Sequence, residues 1–510
     1  MISAIYIITT IIFGGFVVRK IKSNNINAIT IFTFMIMFAY LIVPIMVFFL
    51  GDAYQDKYPI TWNIYNSNDL ERVKALIYTF LLIISSTLVY YCIPIKKVNT
   101  DIINTKYNEK MIYTIVKKYW FVLFGIGMFG FILVIFKFGG ISNYLNSSGG
   151  SRGIYSDIGD NNSIAPGSIF AYANILSRAL LGCIYPLILM YEMKPQISRL
   201  IGIIFIICLD TMVLVYNAGK LQAIIFYVPI LIYFMNKYVR KKNKMLIYLF
   251  ISIITFLSMS KMDDLFFYLN HGVTLSSYKD SWSFIDNLMA LVNQFTYPYS
   301  NLLLSDKMNN VYGFRFGIDY IAPIFNLIPA RFLNIIGLSK IDALYHITSD
   351  YYHIKVLGFS LIAGVPNDLL TVAIRQLSFP GVILCGSFMG MLLAYVDIGV
   401  KKLNEMGNKY SQLALTNCVV VIVILFLEPN SVTMAYYHIL FSLFLTRSIL
   451  KQREKSPVVL ENENTDRNHT NRASPLFQDS CHIPPKEISE ITGLGGGQQW
   501  HCCGYRMKRV

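Results

Sequence analysis

The sequence AITIFTFMIMFAYLIVPIMVFFL occupies positions 28–50 and contains no charged residue over its 23 positions. An α-helix of about 20 apolar residues is long enough to cross the roughly 30 Å hydrocarbon core of a bilayer. A second apolar run, 2–18, precedes it, and the connection between the two runs contains Arg19, Lys20 and Lys22. This arrangement predicts two membrane-spanning helices joined by a short basic loop.

Apolar runs of similar length recur along the 510 residues of the chain. The composition agrees with a membrane protein, because 14% of the residues are charged, against about 25% in an ordinary soluble domain. We therefore expect an all-α polytopic membrane protein with about eleven transmembrane helices. The predicted spans are 2–18, 28–50, 75–95, 119–136, 169–191, 200–217, 222–236, 245–262, 380–400, 410–427 and 432–449.

The net charge of +15 would suit a nucleic-acid-binding protein if Lys and Arg shared one solvated face. They lie instead in short clusters between the apolar runs. With the N-terminus outside, the predicted inner segments carry a net charge of +18 and the outer segments −3. Cytoplasmic loops of membrane proteins carry an excess of Lys and Arg, so the charge predicts orientation and no nucleic-acid partner.

The predicted spans divide the chain into four parts. Residues 1–262 form an N-terminal bundle of eight spans, 263–379 a large outer segment, 380–449 three C-terminal spans, and 450–510 a cytoplasmic tail that we expect to be disordered. The outer segment is dense in aromatic and aliphatic residues, which favours a folded cap over a disordered loop.

Two stretches within the outer segment have apolar patterns too short to cross a bilayer. Residues Phe284 to Phe295 place apolar side chains at helical spacing and predict an amphipathic helix at the membrane interface. The stretch from Ile324 to Gly337 is interrupted by Pro329, which predicts an interfacial or re-entrant segment.

Arginines in the predicted outer parts are candidates for binding a phosphorylated ligand, because a guanidinium group binds phosphate bidentately. For each one taken singly, a solvated side chain without a functional role is the better explanation. As a group they are harder to explain, since outer loops gain nothing from basic residues during insertion. The candidates are Arg152, Arg315, Arg331 and Arg375 in the outer parts, together with Arg178 inside a predicted span.

Arg178 lies inside a predicted span, where a charge is costly, so it is a functional candidate by default. An ion pair with Asp210 of the next span is the structural alternative, and the sequence leaves both interpretations open.

Two residues are candidates for proton transfer. Asp368 lies where the outer segment leads into the next span, and a carboxylate there could deprotonate a substrate hydroxyl group. His353 is seven residues from His346, two turns along one helical face, and is a candidate base or an ordinary interfacial histidine. No nucleotide-binding loop, zinc-protease motif or nucleophile elbow occurs, and histidines and cysteines of the tail lack zinc-ligand spacing. We expect no metal and no cofactor.

The chain resembles the bacterial oligosaccharide repeat-unit polymerases, the Wzy-type O-antigen polymerase family, in architecture over about residues 1–450. The local likeness is strongest in Gly364-Val365-Pro366-Asn367-Asp368-Leu369-Leu370 and the following Leu377-Ser378-Phe379-Pro380-Gly381-Val382-Ile383-Leu384 with Gly390. At Asn217-Ala218-Gly219-Lys220 the family often has a Gly-Arg turn. Here Lys220 keeps the positive charge without the bidentate fork.

This resemblance implies a C-type glycosyltransferase fold in the bacterial inner membrane with the active site facing the periplasm. The implied enzyme transfers a growing chain from undecaprenyl pyrophosphate onto a new lipid-linked repeat unit. Its implied partners are those lipid-linked oligosaccharides, membrane lipids and a chain-length regulator protein.

Under this resemblance the diphosphate lies among the arginines and Lys220, and Asp368 or His353 activates the acceptor hydroxyl. The diphosphate ligands that we expect first are Arg178, Lys220, Arg315 and Arg331, with Arg152 and Arg375 as further substrate-binding residues. An O-antigen ligase uses a similar lipid donor and remains an alternative, as does a polysaccharide flippase or other transporter. A membrane protein with a structural or partner-binding role is a further possibility.

Overall fold

The structure is a computed structural model that describes residues 2–22, 27–51, 58–93, 109–147, 164, 168–217, 220–238, 268, 288–289, 292–357 and 365–455. The regular secondary structure of these residues is helical, and no β-strand occurs among them. The prediction of an all-α chain is therefore confirmed for the described part. The predicted tail lies almost entirely outside these residues, and so do its cysteines and histidines.

The helices used below are numbered in chain order. They are α1 (Ile2–Lys22), α2 (Ala28–Leu50), α3 (Pro59–Tyr65), α4 (Asp69–Cys92), α5 (Glu109–Phe138), α6 (Ile141–Asn146), α7 (Ile169–Met193), α8 (Ile197–Asn217), α9 (Lys220–Tyr238), α10 (Tyr297–Tyr312), α11 (Ile318–Leu327), α12 (Ala330–Ile335), α13 (Leu344–Tyr351), α14 (Leu369–Glu405), α15 (Asn408–Phe426), α16 (Pro429–Ala435) and α17 (Tyr437–Lys455).

Eight helices among the described residues are long and apolar enough to cross a membrane, which makes the chain a multi-pass membrane protein. They are α1, α2, α4, α5, α7, α8, α14 and α15. The predicted count of eleven is not confirmed. The apolar part of α9, Gln222–Met235, is too short, and α17 ends in a charged stretch and does not qualify. The predicted span 245–262 lies outside the described residues.

Two of the apolar clusters among the described residues contain most of the spans. In the first, buried residues of α1, α2, α4 and α14 meet. In the second, α5, α7, α8 and α9 pack with α15 and α17. Because lipid tails are as apolar as these side chains, close packing and interhelical hydrogen bonds hold such helices together more than water exclusion does.

Glycines let α14 approach α4 closely. A Cβ added at Gly390 would lie 2.4 Å from the Ser86 carbonyl oxygen, and one added at Gly386 would lie 1.9 Å from Ser85 Oγ. The two glycines are four residues apart and therefore share one face of α14. This is the small-residue spacing that membrane helices use for close contact.

We expect Gly390→Ala to destabilise the protein, because the new methyl group overlaps the backbone of α4. Overpacking of this kind costs about 1–3 kcal/mol, which thermal unfolding in detergent will register as a lower midpoint. Gly125→Ala in α5 is the matched control, since no atom lies within 4 Å of a Cβ at that position. Equal midpoints for the two variants would contradict the close packing.

A kink divides α14. Leu377 and Ser378 have non-helical backbone angles, and Ser378 lies in the left-handed region with φ 53°.

Pro380 lacks the N–H group that would bond the carbonyl of Gln376 in a regular helix. The amide of Phe316 donates to that carbonyl oxygen at 3.3 Å instead, and Arg315 N donates to the Arg375 carbonyl oxygen at 3.0 Å. The outer segment thus completes the hydrogen bonding of α14, which begins at Leu369 rather than at the predicted position 380.

The predicted outer segment is described in part. Half of the predicted interfacial helix at Phe284–Phe295 is described, namely residues 288–289 and 292–295, and Met289 and Val292 are buried in the first apolar cluster. The stretch around Pro329 forms α11 and α12, two short helices with the proline between them. Several of their apolar side chains are exposed, including Phe332 at 63% and Ile335 at 78%. The interruption predicted from Pro329 is present, whereas the cap as a whole stays a prediction.

Candidate functional site

Asp368 caps the N-terminus of α14. One carboxylate oxygen accepts hydrogen bonds from the backbone N–H groups of Leu370 at 3.0 Å and Thr371 at 3.1 Å, and the Tyr40 hydroxyl donates to the same oxygen. The other oxygen accepts from Thr371 Oγ1 at 2.5 Å. The side chain is fully buried. Asp368 thus satisfies the free amides of a helix start, the usual role of an aspartate at this position.

A second carboxylate lies beside this cap. Glu428, which precedes α16, is 2% exposed, and its Oε2 accepts a hydrogen bond from Asn367 Nδ2 at 3.2 Å. Asn367 is held in turn by the Thr348 hydroxyl, which donates to Asn367 Oδ1 at 2.8 Å. Glu428 Oε1 has no hydrogen-bond partner among the described residues. This buried carboxylate therefore keeps one oxygen able to accept a proton or a hydrogen bond.

Burial raises the pKa of Glu428 from its ordinary 4.5 to about 7. The hydrogen bond from Asn367, the backbone of Tyr345 and the positive charge of Arg315 lower this pKa, and the negative charge of Asp319 adds to the rise. A carboxylic acid with a pKa near the working pH can take up and release protons efficiently, as a general base requires. Glu428 is therefore a better candidate base than the capping residue Asp368.

Arg315 and Asp319 form a bidentate ion pair next to Glu428. Arg315 Nε donates to Asp319 Oδ2 and Nη2 donates to Oδ1, each at 2.7 Å. Gln376 of α14 donates to Asp319 Oδ2 at 2.6 Å and accepts from the Gly317 amide at 2.7 Å. These contacts attach the segment before α11 to α14. They also occupy the fork of Arg315, which was expected to bind diphosphate.

Arg375 of α14 is fully buried. Its Nη1 donates to Asn309 Oδ1, and Asn309 is fixed by its own bond to the Ile374 carbonyl oxygen at 3.1 Å. Nε and Nη2 have no hydrogen-bond partner among the described residues. These two nitrogens form one edge of the guanidinium group and together present a bidentate fork suited to an oxyanion. Arg315 and Asp319 lie within electrostatic range of the group.

Arg178 lies at a break between the two halves of α7. Its Nη2 donates to Asn217 Oδ1 at 2.7 Å, and Nη1 donates to the Met434 carbonyl oxygen at 3.2 Å. No hydrogen bond joins it to Asp210, both of whose carboxylate oxygens are without a partner among the described residues. The structure therefore places Arg178 at the end of α16, and the ion pair with Asp210 is not formed.

The short helix α16 connects these groups. Glu428 precedes its first residue, and Met434 in its last turn accepts from Arg178. A helix of seven residues is about 10 Å long, so the two clusters lie near one another without touching. α11 packs against α16, and Lys340 Nζ donates to the Tyr172 hydroxyl of α7 at 3.3 Å. α11 of the predicted outer segment thus packs on α16, and the loop after α12 contacts the start of α7.

The remaining candidates do not join this group in the described structure. Arg331 is exposed on α12. His353 follows α13, with Nε2 buried and without a partner among the described residues, and no hydrogen bond connects it with Glu428. Arg152 lies outside the described residues, and the Lys220 side chain is likewise not described. Their predicted roles stay predictions.

Glu428, Asn309 and Gln376 were not among the sequence-based candidates. A single acidic residue between two apolar runs, followed by Pro429, was the one visible signal for Glu428. Comparison of the chain with protein-family models, with curated proteins and with solved structures found no match. The geometry around α16 and the resemblance in sequence are therefore the observations that bear on function.

Proposed function

We propose that this protein is a membrane glycosyltransferase that polymerises lipid-linked oligosaccharide repeat units into a surface polysaccharide. In this proposal it acts at the outer, periplasmic side of the bacterial inner membrane, with undecaprenyl pyrophosphate as the leaving group. The carrying observation is the pair of incompletely bonded buried groups, the fork of Arg375 and Glu428 Oε1, that flank the Arg315–Asp319 ion pair. The Arg375 fork can bind an oxyanion, and Oε1 of Glu428 can accept a proton.

The proposed reaction is a displacement at the anomeric carbon of the donor. The acceptor hydroxyl oxygen of a new repeat unit forms the glycosidic bond, and its proton passes to the Glu428 carboxylate. The bond between the anomeric carbon and the pyrophosphate oxygen breaks, and undecaprenyl pyrophosphate leaves with the electron pair. Arg375 stabilises the negative charge that develops on that oxygen, the kind of contribution made by preorganised donors.

The surroundings of these groups suit a lipid-linked substrate. The exposed apolar side chains of α11 and α12 provide a surface for a polyprenyl chain within a few residues of Arg315. Arg331 on α12 is exposed next to that surface and is proposed to meet the diphosphate as it enters. Because Arg375 and Glu428 are buried, substrate binding at these groups requires the helices around them to rearrange.

Deletion of the gene tests the reaction class. We expect the deletion strain to lose the polysaccharide ladder on a gel of surface glycolipid and to keep core carrying a single repeat unit. A plasmid copy of the wild-type gene restores the ladder. Loss of the repeat unit as well would identify a ligase or a flippase, and a normal ladder in the deletion strain would contradict all three functions.

A further inference from the structure

A groove lies between α5 and α17, away from the groups around α16. Its volume is about 440 Å³. The Tyr119 hydroxyl and Ser448 Oγ are 3.0 Å apart and join the two helices along it. Lys118 of α5 and Lys451 of α17 contribute the cationic lining. Neither lysine has an ion-pair partner among the described residues, and both are exposed.

The lining of this groove changes from charged to apolar along the axes of α5 and α17. Lys118, Lys451 and Gln452 lie toward the ends of α5 and α17 that carry the charged residues. Val122 and Phe441 line the part that extends into the predicted spans. Phe441 is ten residues from Lys451, or about 15 Å along a helix. The groove therefore has cations at the membrane boundary and an apolar track leading toward the hydrocarbon.

We propose that this groove binds an anionic phospholipid, with the phosphate group between Lys118 and Lys451 and an acyl chain along Val122 and Phe441. Basic pockets between membrane helices bind anionic head groups because charge attraction at the surface adds to burial of the chain. Tyr119, Ser448 and Gln452 supply hydrogen-bonding groups for phosphate oxygens. The apolar track favours a lipid over a free phosphate ion. This inference does not depend on the proposed reaction.

Lipid binding to the purified, delipidated full-length protein tests the proposal. Native mass spectrometry measures the affinity for phosphatidylglycerol and for phosphatidylcholine, which has no net charge. We expect the wild type to prefer phosphatidylglycerol and Lys118→Gln with Lys451→Gln to weaken that binding about thirtyfold, the effect of two cations at a membrane surface. Binding of phosphatidylcholine stays unchanged.

Lys117→Gln is the matched control, because Lys117 neighbours Lys118 in sequence but contacts the Phe121 ring at 5.7 Å and does not line the groove. This variant is expected to bind phosphatidylglycerol as the wild type does. Equal phosphatidylglycerol affinity in the double variant and the wild type would overturn the proposal. Displacement of the lipid by inorganic phosphate at the same concentration would also overturn it, since the site would then take free phosphate.

Discussion

Arg375→Lys is expected to reduce polymer formation by about 10²–10³-fold, the usual effect of removing one preorganised donor from a developing oxyanion. Lysine keeps the positive charge and the approximate volume, but it loses the planar fork that binds two phosphate oxygens at once. The rate is measured with purified protein in liposomes containing lipid-linked repeat units, with the products separated by length. Arg375→Ala is expected to abolish polymer formation.

The lysine variant is the decisive one, because alanine at a fully buried position also leaves Asn309 without its partner and destabilises the fold. Arg447→Lys provides a matched control, since Arg447 is exposed on α17 at a distance from the α16 groups. Its rate and protein level should equal those of the wild type. A normal chain-length distribution in Arg375→Lys, with unchanged protein level, would remove Arg375 from the proposed diphosphate site.

The membrane-spanning helices could be predicted wherever residues close together in the sequence determine them. The run 28–50 became α2 because its length and lack of charge leave a helix as the only way to satisfy the backbone in a bilayer. Pro329 separated α11 from α12 for a similarly local reason, since proline removes a helical hydrogen bond. The start of α14 was missed because Arg375 and Gln376 interrupt its hydropathy, while their partners Asn309 and Asp319 lie more than 50 residues away.

The sequence indicated which types of residue form the candidate site, but it did not indicate the role of each one. Arg375 was selected as an arginine in an outer segment, and the structure adds that its fork is buried and has no partner among the described residues. Asp368 was selected as a carboxylate, although an aspartate directly before the apolar residues Leu369 and Leu370 already indicated a helix cap. Glu428 was missed because its altered acidity comes from burial beside Asn367, 61 residues earlier in the chain. Long-range packing of this kind leaves no local pattern.

Glu428→Gln is expected to lower the rate of polymer formation by about 10²–10⁴-fold, the usual contribution of a general base. The raised pKa of about 7 sets the pH dependence of the wild type. Below that pH the carboxyl group is protonated and cannot accept the hydroxyl proton, so activity should rise as pH increases through about 7 and level off above it. The residual rate of the glutamine variant should not rise as pH increases through 7. Initial rates in liposomes between pH 5 and 9 measure both effects.

Stability distinguishes this role from a structural one. Because the folded protein raises the pKa of Glu428 from 4.5 to about 7, the wild type loses stability as pH rises from about 4.5 through 7, where burial of the charge becomes costly. Glutamine resembles the protonated form and still accepts from Asn367, so Glu428→Gln should unfold at the same temperature as the wild type at about pH 4 and at a higher one at pH 8. Glu109→Gln, at an exposed residue paired with Lys409, serves as the control and should alter neither the rate nor its pH profile. A fully active Glu428→Gln would show that another group accepts the proton.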